Sequence, residues 1–229
     1  MRVLSKIVYC LICLIISVTV YAKQQTDYQY LFSNYNTRNG LINNVIYSIT
    51  QDSQGFIWLG SDMGLTRFDG KLFFHKAILE IYNTPTSVHN VITNDKGYIV
   101  CSSFMHGVFE QLNNGVYKRY FKGPEIINRN IIYSVDQYPG GEYLMATSRS
   151  LLKTVNDSLI ELYDHGFDRS IFVTIDIDKN NAIWFGGING LGIIEQDGEE
   201  LKPFFLPEFK DQYIVKIIFD DKNSIQLFN

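Results

Sequence analysis

The stretch "DSQGFIWLGSDMGLTRFDG", residues 52–70, decides the fold, because its key residues return downstream at one offset. In "DKNNAIWFGGINGLGIIEQDG", residues 178–198, Asp178, Trp184, Gly186, Gly190 and Leu191 each stand 126 residues after Asp52, Trp58, Gly60, Gly64 and Leu65. Matched tryptophans and glycines at a fixed offset mark an internal repeat, and a repeat settles architecture before any local reading does.

Working outward from Trp58, related segments recur around Val100 ("YIVCS"), Met145 ("YLMAT"), Trp184 ("AIWFG") and Gln226 ("SIQLF"), at steps of 42, 45, 39 and 42 residues. Before each lies a short apolar run ending near an acid or Asn: "VIYSITQD", "NVITND", "IIYSVDQ", "FVTIDID" and "VKIIFDD". After the first four come "GLTRF", "GVFEQL", "SLLKTV" and "GLGIIE", then "LFFHK", "VYKRYF", "LIELY" and "KPFFL". These segments are short, alternating, and rich in β-branched and aromatic residues, with Gly and Asp turns between them, which reads as strand after strand. Only "AILEIYN", residues 77–83, carries the pattern of a helical turn or two.

Four strands of about six residues with four short turns need roughly 40 residues. The predicted fold class is therefore all-β, a partial β-propeller of four-stranded antiparallel blades with a period of about 42 residues and about four and a half blades. The doubled stretch is then three blade steps. On this reading Trp58 and Trp184 pack between neighbouring blades. Gly60 and Gly186 let backbones approach closely, and Gly64 and Gly190 supply positive φ in the next turn. Asp52 and its counterparts accept backbone N–H bonds in polar turns.

The N-terminus bears on the compartment. Arg2 and Lys6 precede an apolar run from Ile7 to Val20, and "VYA" ends at Ala22, the pattern of a secretory signal peptide over residues 1–22. The run is short for a membrane span, and an uncleaved anchor is the alternative. Removal of the signal moves the net charge from −4 to about −6, since Arg2 and Lys6 leave with it. A mildly acidic domain without a basic patch is a poor nucleic-acid binder. Cys101 is the one cysteine left, so no internal disulfide staples the fold. Residues 23–229 must rest on burial, for which a sequence that is 46% apolar and 14% aromatic over its full length is ample.

Few residues point to chemistry. His75, His89, His106 and His165 lie 14, 17 and 59 residues apart, outside zinc-ligand spacing. No nucleophile elbow or phosphate-binding loop appears; "GGINGLG" is a turn leading into a strand. "DSQGFIW" differs from the sialidase Asp-box by one residue in length and by lacking its threonine. No metal, no cofactor and no catalytic residue is expected. Recognition is the better reading, because scaffold-held loops concentrate binding residues. The loops joining second to third strands share one face of a propeller: "SDMG" (61–64), "SFMHG" (103–107), "TSRS" (147–150) and "GINGL" (187–191). Asp62, His106, Arg149 and Asn189 are the candidate ligand-binding residues.

"NGLINNVIYSITQDSQGFIWLGSDMGLTRFDG", residues 39–70, closely resembles the two-component regulator propeller repeat. Gly40-Leu41, Val45, Ile49, Asp52, Gly55, Phe56 to Gly60, Gly64-Leu65 and Phe68-Asp69-Gly70 carry the resemblance. "YQYLFSNYNTRNGL", residues 28–41, is similar to the opening strand of the periplasmic sensor region of hybrid two-component systems from glycan-degrading bacteria. The resemblance implies two consecutive seven-bladed propellers, a β-sandwich, a membrane helix and a histidine kinase. It also implies an oligosaccharide as ligand and, in the full receptor, a homodimer.

The chain stops at Asn229 inside a fifth repeat, so it reads as the N-terminal piece of such a sensor, without a kinase of its own. Remaining blades or another propeller chain would then be partners. The alternative is a partial propeller that serves as an interaction module completed by another chain. An open ring exposes strand edges and an apolar face. Residues 23–229 alone are therefore expected to aggregate or to unfold at low denaturant.

Overall fold

The computed structural model describes residues 31–76, 86–103, 106–112, 115–120, 131–156, 158–164, 172–197, 200–220 and 222–229. The chain divides into a short N-terminal unit ending at Asn34 and a second unit from Tyr35 to Asn229, and the strands described all belong to the second. The signal peptide and the expected helical turn at 77–83 lie outside the described residues.

The strands are β1 (Ile46–Gln51), β2 (Ile57–Ser61), β3 (Gly64–Phe68), β4 (Phe73–Lys76), β5 (Asn90–Thr93), β6 (Ile99–Ser103), β7 (Gly107–Gln111), β8 (Tyr117–Tyr120) and β9 (Ile132–Gln137). They continue as β10 (Tyr143–Thr147), β11 (Ser150–Val155), β12 (Ser158–Asp164), β13 (Phe172–Ile177), β14 (Ile183–Gly187), β15 (Gly190–Asp197), β16 (Glu200–Phe205), β17 (Lys216–Phe219) and β18 (Ile225–Phe228). Each successive group of four forms one antiparallel sheet in simple sequence order, and β17 and β18 form a two-stranded fifth. The first strands of successive sheets touch, β1 with β5, β5 with β9, β9 with β13 and β13 with β17. Sheets that meet along their first strands are blades around an axis. The all-β propeller expected from the period is the fold.

Hydrogen bonds between first strands keep the blades in step. Ser48 Oγ accepts from the Val91 N–H at 3.0 Å, and Thr174 Oγ1 accepts from Ile217 at 3.3 Å, the same 43-residue step in both cases. The repeated residues act as their spacing predicts. Trp58 is 3% exposed and packs against Val88, Val91, Cys101 and Phe109 of the second blade. Trp184 packs against the buried cluster that holds Ile214 and Ile217 of the fifth and meets the Phe219 ring with centroids 5.6 Å apart. Asp52 Oδ1 accepts from the N–H groups of Gln54 and Phe56 at 3.0 and 2.9 Å, while Oδ2 accepts the Trp58 indole N–H at 2.6 Å. Asp178 repeats this with Asn180, Ala182 and, at 3.4 Å, Trp184. One aspartate thus closes the turn and fixes the ring that fills the seam.

A Cβ on Gly60 would lie 2.8 Å from the Val88 carbonyl oxygen, and one on Gly186 2.6 Å from Ile214 Cγ2. Neighbouring blades approach too closely there for a large side chain. Ser102 and Ala146, both fully buried, hold the same place in the second and third blades. That register corrects one sequence assignment. Leu144, not Met145, sits opposite Asp136 as Trp58 sits opposite Thr50, making the steps 42, 44, 40 and 42. The third blade closes its second strand on alanine, so no glycine marked the alignment.

The second and third blades join differently. Asn94 takes the place of Asp52, and its Oδ1 accepts from Lys96 and Tyr98 N–H at 3.1 and 2.8 Å. No indole stands nearby for its side-chain amide; Nδ2 donates instead to Glu110 Oε1 at 2.9 Å. Tyr143 OH, from the third blade, donates to the same oxygen at 2.9 Å, and Tyr120 OH to Oε2. Glu110 and Tyr143 are 8% and 1% exposed. A buried carboxylate is tolerable only with such partners. Burial, ahead of the neighbouring carboxylate, raises the Tyr143 phenol above its usual range, which keeps it a donor.

Exposed apolar side chains gather on the first and last of the five sheets. Ile49 is 66% and Leu72 60% exposed on the first, and Ile218, Ile225 and Phe228 are exposed on the fifth.

Candidate functional site

The turns from second to third strand all lie at one end of the blades and carry the four predicted residues. Asp62 is exposed between β2 and β3, and its Oδ1 accepts the Tyr47 hydroxyl at 2.8 Å. His106 precedes β7; its Nδ1 lies 3.3 Å from Ser103 Oγ, and its carbonyl accepts Arg119 Nε at 2.8 Å. Burial, helped by the Arg119 charge, holds its imidazole below the ordinary pKa. Arg149 is engaged by Asp164 of its own blade through two bonds of 3.1 and 2.8 Å. Asn189 is exposed in the turn between β14 and β15. The four share a face, and the bonds named here tie Asp62, His106 and Arg149 each to its own blade rather than into one constellation.

A second row of residues, nearer the axis, was missed by sequence reasoning. Strand pairing slips by one residue between Ile46 and Ser48, between Ile132 and Ser134, and between Phe172 and Thr174. A bulge re-aims the extra side chain. The bulged residues are Tyr47, Tyr133 and Val173, and His89 holds the matching place in the second blade. Tyr47 is 45% exposed and stacks on His89 with ring centroids 4.4 Å apart at 29°. Burial drives the His89 pKa down to about 4, against the opposing pull of Asp62, so the stacked ring is neutral at physiological pH. Tyr133 is half-buried, its phenol raised by burial and by the nearby Tyr213 of the segment leading into β17. The result is an arc of three aromatic rings, Tyr47, His89 and Tyr133, followed by Val173, with one carboxylate at its start. Flat rings beside a carboxylate suit a ligand with apolar ring faces and hydroxyl edges. The available signal was the doubled "Ile-Tyr-Ser" at 46–48 and 132–134.

Below this row two carboxyls meet across a seam. Asp136 on β9 is hydrogen-bonded to Asp176 on β13, each carboxyl also accepting the next residue's N–H at 2.8 Å, and Asp176 Oδ2 accepting from Phe219 at 3.3 Å. Burial, then the Asp176 charge, pushes Asp136 up to about 7, with Lys216 acting the other way. Burial also raises Asp176. The pair shares one proton below about pH 7.

Among the described residues no group of three or more His, Cys, Asp or Glu side chains could hold a metal. No helix among them is long and apolar enough to cross a membrane.

Repeated four-stranded blades locked by Asx turns define a β-propeller repeat protein. The profile of the two-component regulator propeller family matches residues 40–63, so the chain carries that repeat in its first blade. In fold it is similar to the extracellular domain of a protein described as a hybrid two-component system of B. thetaiotaomicron, with TM-score 0.69 and 20% identity over 88% of this chain and 31% of that one. It is also similar to virginiamycin B lyase from Staphylococcus aureus, with TM-score 0.64 and 17% identity over 80% of this chain and 62% of the lyase. A gluconolactonase from Xanthomonas campestris gives TM-score 0.62 at 10% identity, over 82% of this chain and 70% of that one. The chain thus spans about a third of the two-component relative and less than two thirds of the lyase. No curated protein matches the sequence. Identities this low show the shared fold, and the fold hosts both sensors and enzymes.

Proposed function

We propose that this chain is a non-catalytic, ligand-sensing propeller segment of an exported two-component receptor, and that its ligand is a glycan-derived oligosaccharide. The observation that carries the reading is the regulator-propeller repeat at residues 40–63 within a fold similar to a two-component extracellular domain. The aromatic arc and Asp62 supply the surface: rings for sugar faces, and a carboxylate for paired hydroxyls. Membrane helix, kinase and homodimer contacts would belong to parts of the receptor outside residues 1–229. Isothermal titration of the sensor region against a panel of neutral and acidic oligosaccharides is the test. Saturable binding of one glycan class supports the reading, and silence across the panel removes it.

The exposed apolar residues of the first and fifth sheets favour a second reading, an interaction module whose ring is completed by further blades or by another propeller chain. Light scattering on residues 23–229 separates the two. A defined dimer or hetero-complex that hides Ile49 from a hydrophobic dye favours the second reading, and a monomer that binds a glycan favours the first.

A further inference from the structure

We propose that the cleft between the first and second blades, at the end opposite the aromatic arc, binds the anionic group of a sugar acid or sulfated sugar, with Arg67 as its principal ligand and Lys96 as a second cation. The cleft holds about 360 Å³; Arg67, Lys96, Tyr98, Gln54 and Gln111 line it, together with the Asp52 carboxylate that the Trp58 indole and two backbone N–H groups engage. That volume is at the small-molecule end of ligand sites.

Arg67 is half-buried, and among the described residues no ion pair holds its guanidinium. Its guanidinium lies 4.4 Å from the centre of the Phe56 ring and 5.1 Å from that of Phe74, which orient the planar group. Its Nε is shut off from solvent and has no hydrogen-bond partner among the described residues. The nearby carboxylates are occupied elsewhere. Asp52 accepts from Gln54, Phe56 and the Trp58 indole. Asp69 feels the Arg67 charge, yet its Oδ1 accepts from the Lys71 and Leu72 N–H groups, both at 2.8 Å. A buried guanidinium Nε with no acceptor is costly, and an oxyanion that reaches the group relieves that cost.

The other blades show that the position does not demand an unpaired charge. Arg67 pairs with Trp58; the residues matching it are Glu110, Lys153 and Ile193. Glu110 is satisfied in the buried network. Lys153 has Glu142 at 3.4 Å, and Glu142 stands where the first blade has Phe56. Ile193 needs nothing. The first and third blades both place a cation here, but the first puts phenylalanine where the third has its counter-ion. Lys96, exposed on the facing turn, adds a second positive charge. Tyr98, Ser53, Gln54 and Gln111 supply the hydroxyl and amide groups that suit a polyhydroxylated ligand rather than a bare ion.

The test is calorimetric titration of the exported chain with glucuronate, glucose 6-sulfate and glucose at low and high salt. Glucuronate, glucose 6-sulfate or both should bind saturably and weaken with salt, and glucose should not bind. Arg67→Gln should weaken binding about 30-fold, as loss of a charge-assisted fork does. Lys96→Ala, an exposed change that spares the fold, should weaken it about threefold. The ratio between the two anions distinguishes a carboxylate from a sulfate ligand. Absence of saturable binding by both anions at millimolar concentration would overturn the proposal. So would equal binding of glucose, or affinity unchanged in both variants.

Discussion

The seam between the first and second blades closes on a tryptophan, whereas that between the second and third closes on a carboxylate. At the first, Asp52 fixes the Trp58 indole, and the ring fills the space with hydrophobic area. At the second, Asn94, Tyr120 and Tyr143 surround Glu110 and fill similar space with hydrogen bonds. The backbone is the same four-stranded blade in both. The two seams differ in what sets their energy. An indole in an apolar cluster gains from burial whatever its exact partner, while a buried carboxylate stabilises only if every donor arrives. A repeat unit therefore constrains backbone and spacing more strongly than it constrains the chemistry of its interfaces.

The sharpest way to break the comparison is at Glu110. Glu110→Ala leaves two phenols and an amide buried without their acceptor and should cost about 3 kcal/mol, read as a fall in the urea midpoint. Glu110→Gln should cost about half that, since one oxygen remains. If Glu110→Ala matched an ordinary surface change, the seam would not rest on its carboxylate.

The next effect lies at the third seam, between Asp136 and Asp176. Because the folded pKa of Asp136 is about 7, above the unfolded carboxylate value, the folded state keeps a proton that the unfolded chain releases. Stability should therefore fall as pH rises from about 4 to about 7 and level off above. Asp69 and Asp220, whose backbone bonds hold them below the usual carboxylate range, act in the opposite direction at lower pH, where protonating them weakens the fold. Asp136→Asn should flatten the upper window while sparing the lower one, as followed by thermal melts between pH 4 and 8.

Smaller effects sharpen the tryptophan seams against each other. Trp58→Phe removes a 2.6 Å bond and indole volume from a closed cluster and should cost about 1.5 kcal/mol. Trp184 is more exposed and its bond is 3.4 Å, so Trp184→Phe should cost about 0.5 kcal/mol. Equal costs would mean the two copies are energetically interchangeable despite their geometry. Least of all, Lys153→Ala breaks a partly solvated pair with Glu142 and should shift the midpoint by less than about 0.5 kcal/mol.

Much of the architecture was legible in the chain because its punctuation is local. Asp52, Asp178 and Asp220 close turns onto their own backbones, and Gly64 and Gly190 adopt φ of 105° and 110° that other residues avoid. Such residues need no distant partner to announce themselves. Asp62, His106, Arg149 and Asn189 were placed on one face for the same reason, since turn position follows from strand order. What they touch was not legible. Asp62 meets Tyr47 only because a bulge turns that ring toward it, and bulges leave little trace in composition. Arg149 looked available as a loop cation, but Asp164 at the end of β12 engages it. The Glu110 network was invisible because Tyr143 comes from another blade, and alternation shows an acid in a strand without showing its partner.

By itself the sequence determined the blade, its period and the residues that turn it, because those depend on backbone bonds and spacing within some forty residues. Tertiary structure alone decided which charges are satisfied: Glu110 by three donors, Asp136 by a shared proton, Arg67 by none that the described chain provides. The physical reason is range. Turn bonds form between neighbours in sequence, whereas the cost of burying a charge depends on what the next blade brings to face it.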